Sequence, residues 1–312
     1  MSTGRIVLAV KTLLATTVGV IVALATAPPA LAQDFAGLID IGNGRSLYLN
    51  CQGTGSPTVF VIPGMGSYAQ AWNASIAPND PIRFQPYDLV DEAVIDYPTD
   101  LATQPIVART TRICSYDRPD TRPDGPDRST PVAQPHTVAQ DVDDVVALIT
   151  AAQLPTPMVF VAHSYGGLVL DLLARQHPEL VSGLLFSEPT SEFLMSVGRP
   201  DQNDAFDADG RTKPPGEEAI LPYDAFATIA AAPPLPRVPA IVLSADKFAA
   251  PKNLKPDNYT QAQVHQANDM LAAALGTTNV IVPGTGHNQM LYQPQAVADE
   301  IVTLVDEVRD GN

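Results

Sequence analysis

Short runs of consecutive apolar residues recur along the chain without polar alternation inside them. They fall at 58–62 (TVFVI), 112–116 (RICSY), 158–162 (MVFVA), 183–187 (GLLFS), 239–244 (PAIVLS) and 279–283 (NVIVP). A strand with apolar side chains on both sides of its pleat is buried on both faces, as in a parallel sheet covered by helices. Ahead of them, LIDIGNGRSLYLNC reads as two short strands joined at Gly42-Asn43-Gly44, residues that tolerate positive φ. Helical periodicity fills the gaps. Residues 137–153 place Val138, Val142, Val145, Val146 and Ile149 on one stripe, with Asp141, Asp143 and Asp144 opposite. Residues 296–310 do the same with Val297, Ile301, Leu304, Val305 and Val308. Strand–helix alternation over residues 33–312 predicts one α/β domain. Two long segments break it, 73–111 and 190–237. The second combines a loop-like stretch, RPDQNDAFDADGRTKPPG, with a possible helix, YDAFATIAAA, and reads as a lid inserted between strands.

Composition narrows the setting. The 312 residues are 45% hydrophobic, enough for a sizeable core, and carry a formal charge of −16. That excess of acid argues against nucleic acid and anionic membrane surfaces and leaves a small molecule as the expected partner. Residues 1–32 have the layout of a signal peptide. Arg5 and Lys11 precede an uncharged stretch, 12–27, and Ala30 and Ala32 precede Gln33 as an A-x-A cleavage site. The uncharged stretch has 16 residues, short of the roughly 20 that span a bilayer. Export, cleavage and no stable membrane insertion afterwards are therefore expected. In an exported chain the two cysteines, Cys51 and Cys114, suggest a disulfide. They form no metal-site pattern, the five histidines are scattered, and no structural zinc is expected.

The candidate chemistry sits at Ala162-His163-Ser164-Tyr165-Gly166, with Gly167 behind. A strand leads in and a helix pattern leads out. A nucleophilic serine needs such a sharp corner, and small neighbours where the strained turn crowds other elements. Serine also needs a base. His287, in PGTGHNQ after the last strand, is the best placed, on a loop that Gly284 and Gly286 let fold back. His163 is expected to point away, His177 ends a helix, and His136 and His265 read as solvent-exposed. An oxyanion needs backbone N–H donors. Tyr165 supplies one, and Met65, in the glycine-rich loop PGMGSYAQAW, supplies the other.

With PGMGSYAQAW, CSYDRPD, VAHSYGG and PGTGHNQ in this order from about residue 40 onward, the chain resembles the α/β-hydrolases of the single-domain lipase, esterase and peptidase type. Pro63 departs from the family's usual histidine before glycine in the oxyanion loop, and Ala162 from the first glycine of the elbow. The resemblance implies a mostly parallel eight-stranded sheet with helices on both faces, no cofactor and no metal. It also implies that Cys51 and Cys114 lie on neighbouring strands. A serine nucleophile, where some relatives use aspartate, implies cleavage of an ester, thioester, lactone or amide through an acyl-enzyme. An aminopeptidase-type amide hydrolase and a non-catalytic binding protein on the same fold remain alternatives. Two residues compete as the triad's acid, Glu188 after the GLLFS strand and Asp246 after PAIVLS. The family's commoner position falls on Phe248, which cannot serve.

Overall fold

A computed structural model describes Met1 and residues 34–90, 98–122, 125 and 127–311; the expected signal peptide otherwise lies outside the described residues. Eight strands form one sheet: β1 (Phe35–Gly42), β2 (Arg45–Gln52), β3 (Val59–Ile62), β4 (Ile113–Asp117), β5 (Met158–Ser164), β6 (Val181–Pro189), β7 (Ala240–Ala245) and β8 (Asn279–Val282). Their spatial order is β1-β2-β4-β3-β5-β6-β7-β8. The pairs β1–β2 and β2–β4 are antiparallel, and β4 through β8 are parallel. The apolar runs account for the middle of this sheet: β3 and β4 are buried at every position, and β5 at all but Ser164. At the edge the same reading fails. In β8, Val280 and Ile281 remain 37% and 40% exposed, because an edge strand lacks a neighbour and full cover on both faces.

The helices are α1 (Thr103–Val107), α2 (Val138–Ala151), α3 (Gly166–Gln176), α4 (Leu194–Val197), α5 (Pro200–Arg211), α6 (Pro222–Ala231), α7 (Gln261–Leu275), α8 (Gln289–Tyr292) and α9 (Pro294–Asp310). One face of the sheet packs with α2 and α3, the other with α1 and α9. Thr137 and Gln140 cap α2 reciprocally, and Val138, Val142, Val145, Leu148 and Ile149 form its buried stripe. Asp141 and Asp144 do not face solvent as the helical stripe suggested; both are buried, Asp144 accepting from Arg45 Nη1 (2.7 Å) and Asp141 from partners described below. Helix α9 buries Val297, Ile301, Leu304, Val305 and Val308, each large side chain contributing about 1.5–3 kcal/mol.

Segment 190–237 holds more helix than its composition predicted. Helix α5 covers Pro200–Arg211, much of the stretch read as loop. Its local support is polar: Pro200 opens it, Gln202 caps the Arg199 N–H, and Asp207 pairs with Arg211. On the antiparallel side of the sheet, Cys51 of β2 lies directly opposite Cys114 of β4, and the two form a disulfide. The pairing implied by the family resemblance is the one found.

Candidate active site

Strand β5 ends at Ser164, and α3 begins at Gly166. Ser164 has φ 52°, a left-handed conformation that costs a non-glycine residue on the order of 1–3 kcal/mol. The corner closes because glycines follow it. A Cβ on Gly166 would lie 2.3 Å from the Ile62 carbonyl oxygen, and one on Gly167 would lie 2.7 Å from Pro189 Cβ. On the other side, a Cβ on Gly64 would lie 3.0 Å from Ser164 Cβ. The small residues that flag the elbow in the sequence are thus required by contacts with β3, β6 and the 63–69 loop.

Ser164 borders two cavities. The larger, about 770 Å³, is lined by residues 64–68, 70 and 71, Asp120, Lys213, Glu217 and His287. The smaller, about 290 Å³, is lined by Leu194, Phe206, Phe248, Tyr259, Glu188, Lys247 and His287. His287 thus borders both cavities with Ser164, and among the described residues no hydrogen bond joins the two side chains. Its main chain is held on two sides: the N–H donates to Asp88 Oδ2 (2.8 Å), and the carbonyl accepts from His163 Nε2 (2.9 Å). His163 does not point elsewhere, as expected from sequence. It is buried, and its ring packs against the His287 ring at 4.7 Å between centroids. The His287 side chain opens to the cleft, yet enough protein surrounds it that desolvation lowers its pKa, while the Asp88 charge opposes the shift.

Three carboxylates surround this loop in different ways. Asp246 is exposed and accepts from the N–H groups of Gly284 (2.9 Å) and Thr285 (3.0 Å), bracing the loop from below. Asp88, from segment 73–111, accepts from His287 N–H and from the Tyr292 hydroxyl (2.8 Å). Glu188 ends β6 beside the elbow with φ 43°, is buried, and accepts from Ala245 N–H (2.7 Å). Burial pushes its pKa up to about 8; the Ala245 hydrogen bond opposes this and the Asp88 charge adds to it. Among the described residues no hydrogen bond joins Glu188 or Asp246 to the His287 ring. Asp88 had no sequence signal, since it lies in a stretch without periodicity.

The two expected oxyanion donors are oriented by their own peptide planes. Gly64 and Ser164 precede trans peptides, so each carbonyl points opposite to the following N–H. The Ser164 carbonyl accepts from Thr190 N–H (2.8 Å), and that of Gly64 accepts from the Arg118 guanidinium. Among the described residues, neither Met65 N–H nor Tyr165 N–H donates in a loop or cap hydrogen bond.

Behind the elbow lies a buried polar cluster. Tyr165 Oη donates to Asp141 Oδ2 (2.6 Å), which also meets His136 Nε2 (3.0 Å). His136 is 2% exposed, not solvated as its position before a helix suggested. Burial opposes its charge, but Asp141 and Glu218 prevail and leave its pKa raised. One ligating atom from each of His136, Asp141 and Glu218 lies within 4.8 Å of the others, a donor set of metal-binding type. Arg118 already supplies the positive charge there, 2.6 Å from Glu218, so a cation would meet a guanidinium.

No family model matches the sequence, and no curated protein does. Solved structures do match. An esterase from Thermogutta terrifontis aligns with TM-score 0.55 at 16% identity, over 89% of this chain and 99% of its own. An α/β-hydrolase fold protein from Burkholderia ambifaria gives TM-score 0.53 at 15% identity, over 86% and 100%. The chain has the α/β-hydrolase fold. The enol-lactonase of Burkholderia xenovorans LB400 aligns similarly, with TM-score 0.52 at 17% identity over 86% of this chain and 99% of that one. At such identities the likeness concerns the fold, and chemistry must be argued from the site.

Proposed function

We propose that the protein is a serine hydrolase that cleaves a small or medium carboxylic ester, thioester or lactone through an acyl-enzyme. The observation that carries this reading is Ser164, held at left-handed φ on a strand–helix corner and sharing a cavity with His287. Ser164 Oγ adds to the carbonyl carbon while its proton passes to the His287 imidazole. The carbonyl oxygen becomes an oxyanion and accepts from the N–H groups of Met65 and Tyr165. The adduct collapses, the bond to the leaving group breaks, and the imidazolium returns its proton to the departing oxygen or sulfur. Water then repeats the sequence on the acyl-enzyme and frees Ser164.

Glu188 is assigned the acid's part. Its support is position: it is buried at the end of the strand beside β5 and borders the same cavity as His287. Both Asp246 oxygens already accept from the loop backbone, which supports a bracing part for it. The smaller cavity suits an apolar acyl arm and the larger a more polar leaving group. Segment 190–237 acts as the lid, since Leu194 and Phe206 line one cavity and Lys213 and Glu217 the other. A peptidase would need a free carboxylate for the substrate amine. Arg118 neutralises Glu218, which leaves exposed Glu217 on the larger cavity as the carboxylate for that reading; the apolar lining of the smaller cavity by Leu194, Phe206 and Phe248 favours an ester's acyl arm. The disulfide accords with export by the signal peptide.

The test is a fluorophosphonate probe on mature protein beside Ser164→Ala, with a panel of p-nitrophenyl esters, lactones and aminoacyl amides. Labelling and turnover of an ester or lactone, both lost in the variant, are expected. Folded wild-type protein that neither labels nor hydrolyses any substrate points instead to a binding protein.

A further inference from the structure

The CSYDRPD motif delivers Arg118 to the loop that carries Met65. Arg118 is 1% exposed and Glu218 2% exposed. Arg118 Nε donates to Glu218 Oε1 (2.6 Å), and Nη2 also reaches Glu218 Oε2 (3.2 Å). The other face of the fork grips the oxyanion loop: Nη1 donates to the Pro63 carbonyl (2.6 Å) and Nη2 to the Gly64 carbonyl. Glu218 Oε2 in turn accepts from Gly66 N–H (2.6 Å). The peptide units on both sides of Met65 are therefore held by one ion pair. With the Gly64 carbonyl drawn toward Arg118, the Met65 N–H must point the opposite way. The guanidinium also lies over the Tyr165 ring, 5.3 Å from its centroid, beside the second donor.

A planar guanidinium with fixed donors can set these directions together; an ammonium cannot. The two partners come from different parts of the fold. Arg118 directly follows β4, whereas Glu218 belongs to segment 190–237, between α5 and α6. The loop is thus tied at once to the sheet and to the segment that lines the cavities.

Resting on the serine hydrolase reading, we propose that Arg118 and Glu218 are positioning residues for the oxyanion hole. They fix the direction of the Met65 N–H, and Glu218 makes that direction depend on how segment 190–237 is seated.

A purely structural ion pair predicts something different. Replacing a buried pair by apolar residues of similar size is often neutral for stability, whereas removing one partner is not. The double variant Arg118→Met/Glu218→Met therefore separates fold from function, with Arg118→Lys as the conservative single change. Three quantities are measured on each: thermal stability, the split between kcat and KM for an ester, and affinity for a trifluoromethyl ketone. In that adduct Ser164 Oγ bonds to the ketone carbon, the serine proton goes to His287, and the oxygen becomes the oxyanion that the hole must hold. The folded double variant is expected to lose kcat by roughly 10²-fold or more, the scale of one lost oxyanion donor, with little change in KM. Ketone affinity should fall in parallel with kcat/KM, and Arg118→Lys should not restore it. Folded variants that keep wild-type kcat and ketone affinity would overturn the proposal while leaving the hydrolase reading intact. If wild-type protein neither turns over esters nor binds the ketone, the hydrolase reading itself falls and takes this inference with it.

Discussion

At the scale of single residues, one carboxylate, Asp88, bears on both titratable groups proposed for the site, His287 and Glu188. Gly286 lets Asp88 come close: a Cβ there would lie 2.1 Å from Asp88 Oδ1. Asp88 then raises the pKa of His287 against its desolvation and also raises that of Glu188. Lys247 lines the same cavity but is turned toward the Arg83 carbonyl and the Tyr292 ring. If Glu188 is the acid, it must be ionised to stabilise the imidazolium. With its pKa near 8, kcat/KM should rise through about pH 8. Asp88→Asn removes a negative charge that favours protonation of both groups, so the limb should move to lower pH. Glu188→Gln should cost orders of magnitude in turnover, ~10⁴ in the serine protease precedent. A pH–rate profile of wild type, Asp88→Asn, Glu188→Gln and Asp246→Asn checks this; near-normal Glu188→Gln with collapse of Asp246→Asn would move the acid to Asp246. Stability follows the same proton. Folded Glu188 binds a proton between pH 4.5 and about 8 that the unfolded chain releases, so its contribution to stability falls as pH rises through that window. Of these residues, Ser164 and His287 stood out from sequence because strain and loop freedom require glycines next to them. Asp88 and Glu218 did not, because what brings them in is long-range packing with no local pattern.

The elements divide along the same line. Strands β3 to β7 were legible as unbroken apolar runs because both their faces are covered. Helices α2 and α9 were legible because each buries one stripe. Helix α5 was not, since its buried positions include Gln202, Asp207 and Gly210 rather than an apolar stripe. What it contributes is Phe206, which lies in the smaller cavity and meets the Tyr259 ring edge-on at 5.7 Å. Phe206 is only partly buried, so cutting it back opens the cavity without breaching the main core. Phe206→Ala is expected to shift preference toward longer acyl chains, read as relative kcat/KM across a p-nitrophenyl ester series, while melting temperature changes little. An unchanged chain-length profile would separate α5 from acyl selection.

At the scale of the whole molecule, the sheet has a parallel body that carries the elbow and an antiparallel margin closed by the disulfide. Cys114 pairs in register with Cys51 on one side and Phe60 of β3 on the other. The bond therefore fastens the β1–β2 margin to the centre of the sheet. Cys51 and Cys114 are 63 residues apart, a loop whose closure is worth about 4 kcal/mol in the chain-entropy model. Reduction should accordingly lower the denaturation midpoint in urea, with the change borne mainly by the unfolded ensemble. The effect on catalysis should differ. Ser164 stands on β5, which hydrogen-bonds to β3 and β6, and β4, which leads into Arg118, pairs with β3 through backbone hydrogen bonds that do not run through the disulfide. Reduced protein kept below its unfolding temperature should then retain wild-type turnover while melting earlier. Paired measurements of urea midpoint and ester kcat, with and without reductant, test both halves. Two titratable thiols in non-reduced, denatured protein would show that the bond does not form in solution. A loss of kcat in folded, reduced protein would instead mean that the antiparallel margin helps hold Arg118, and with it the oxyanion loop, in place.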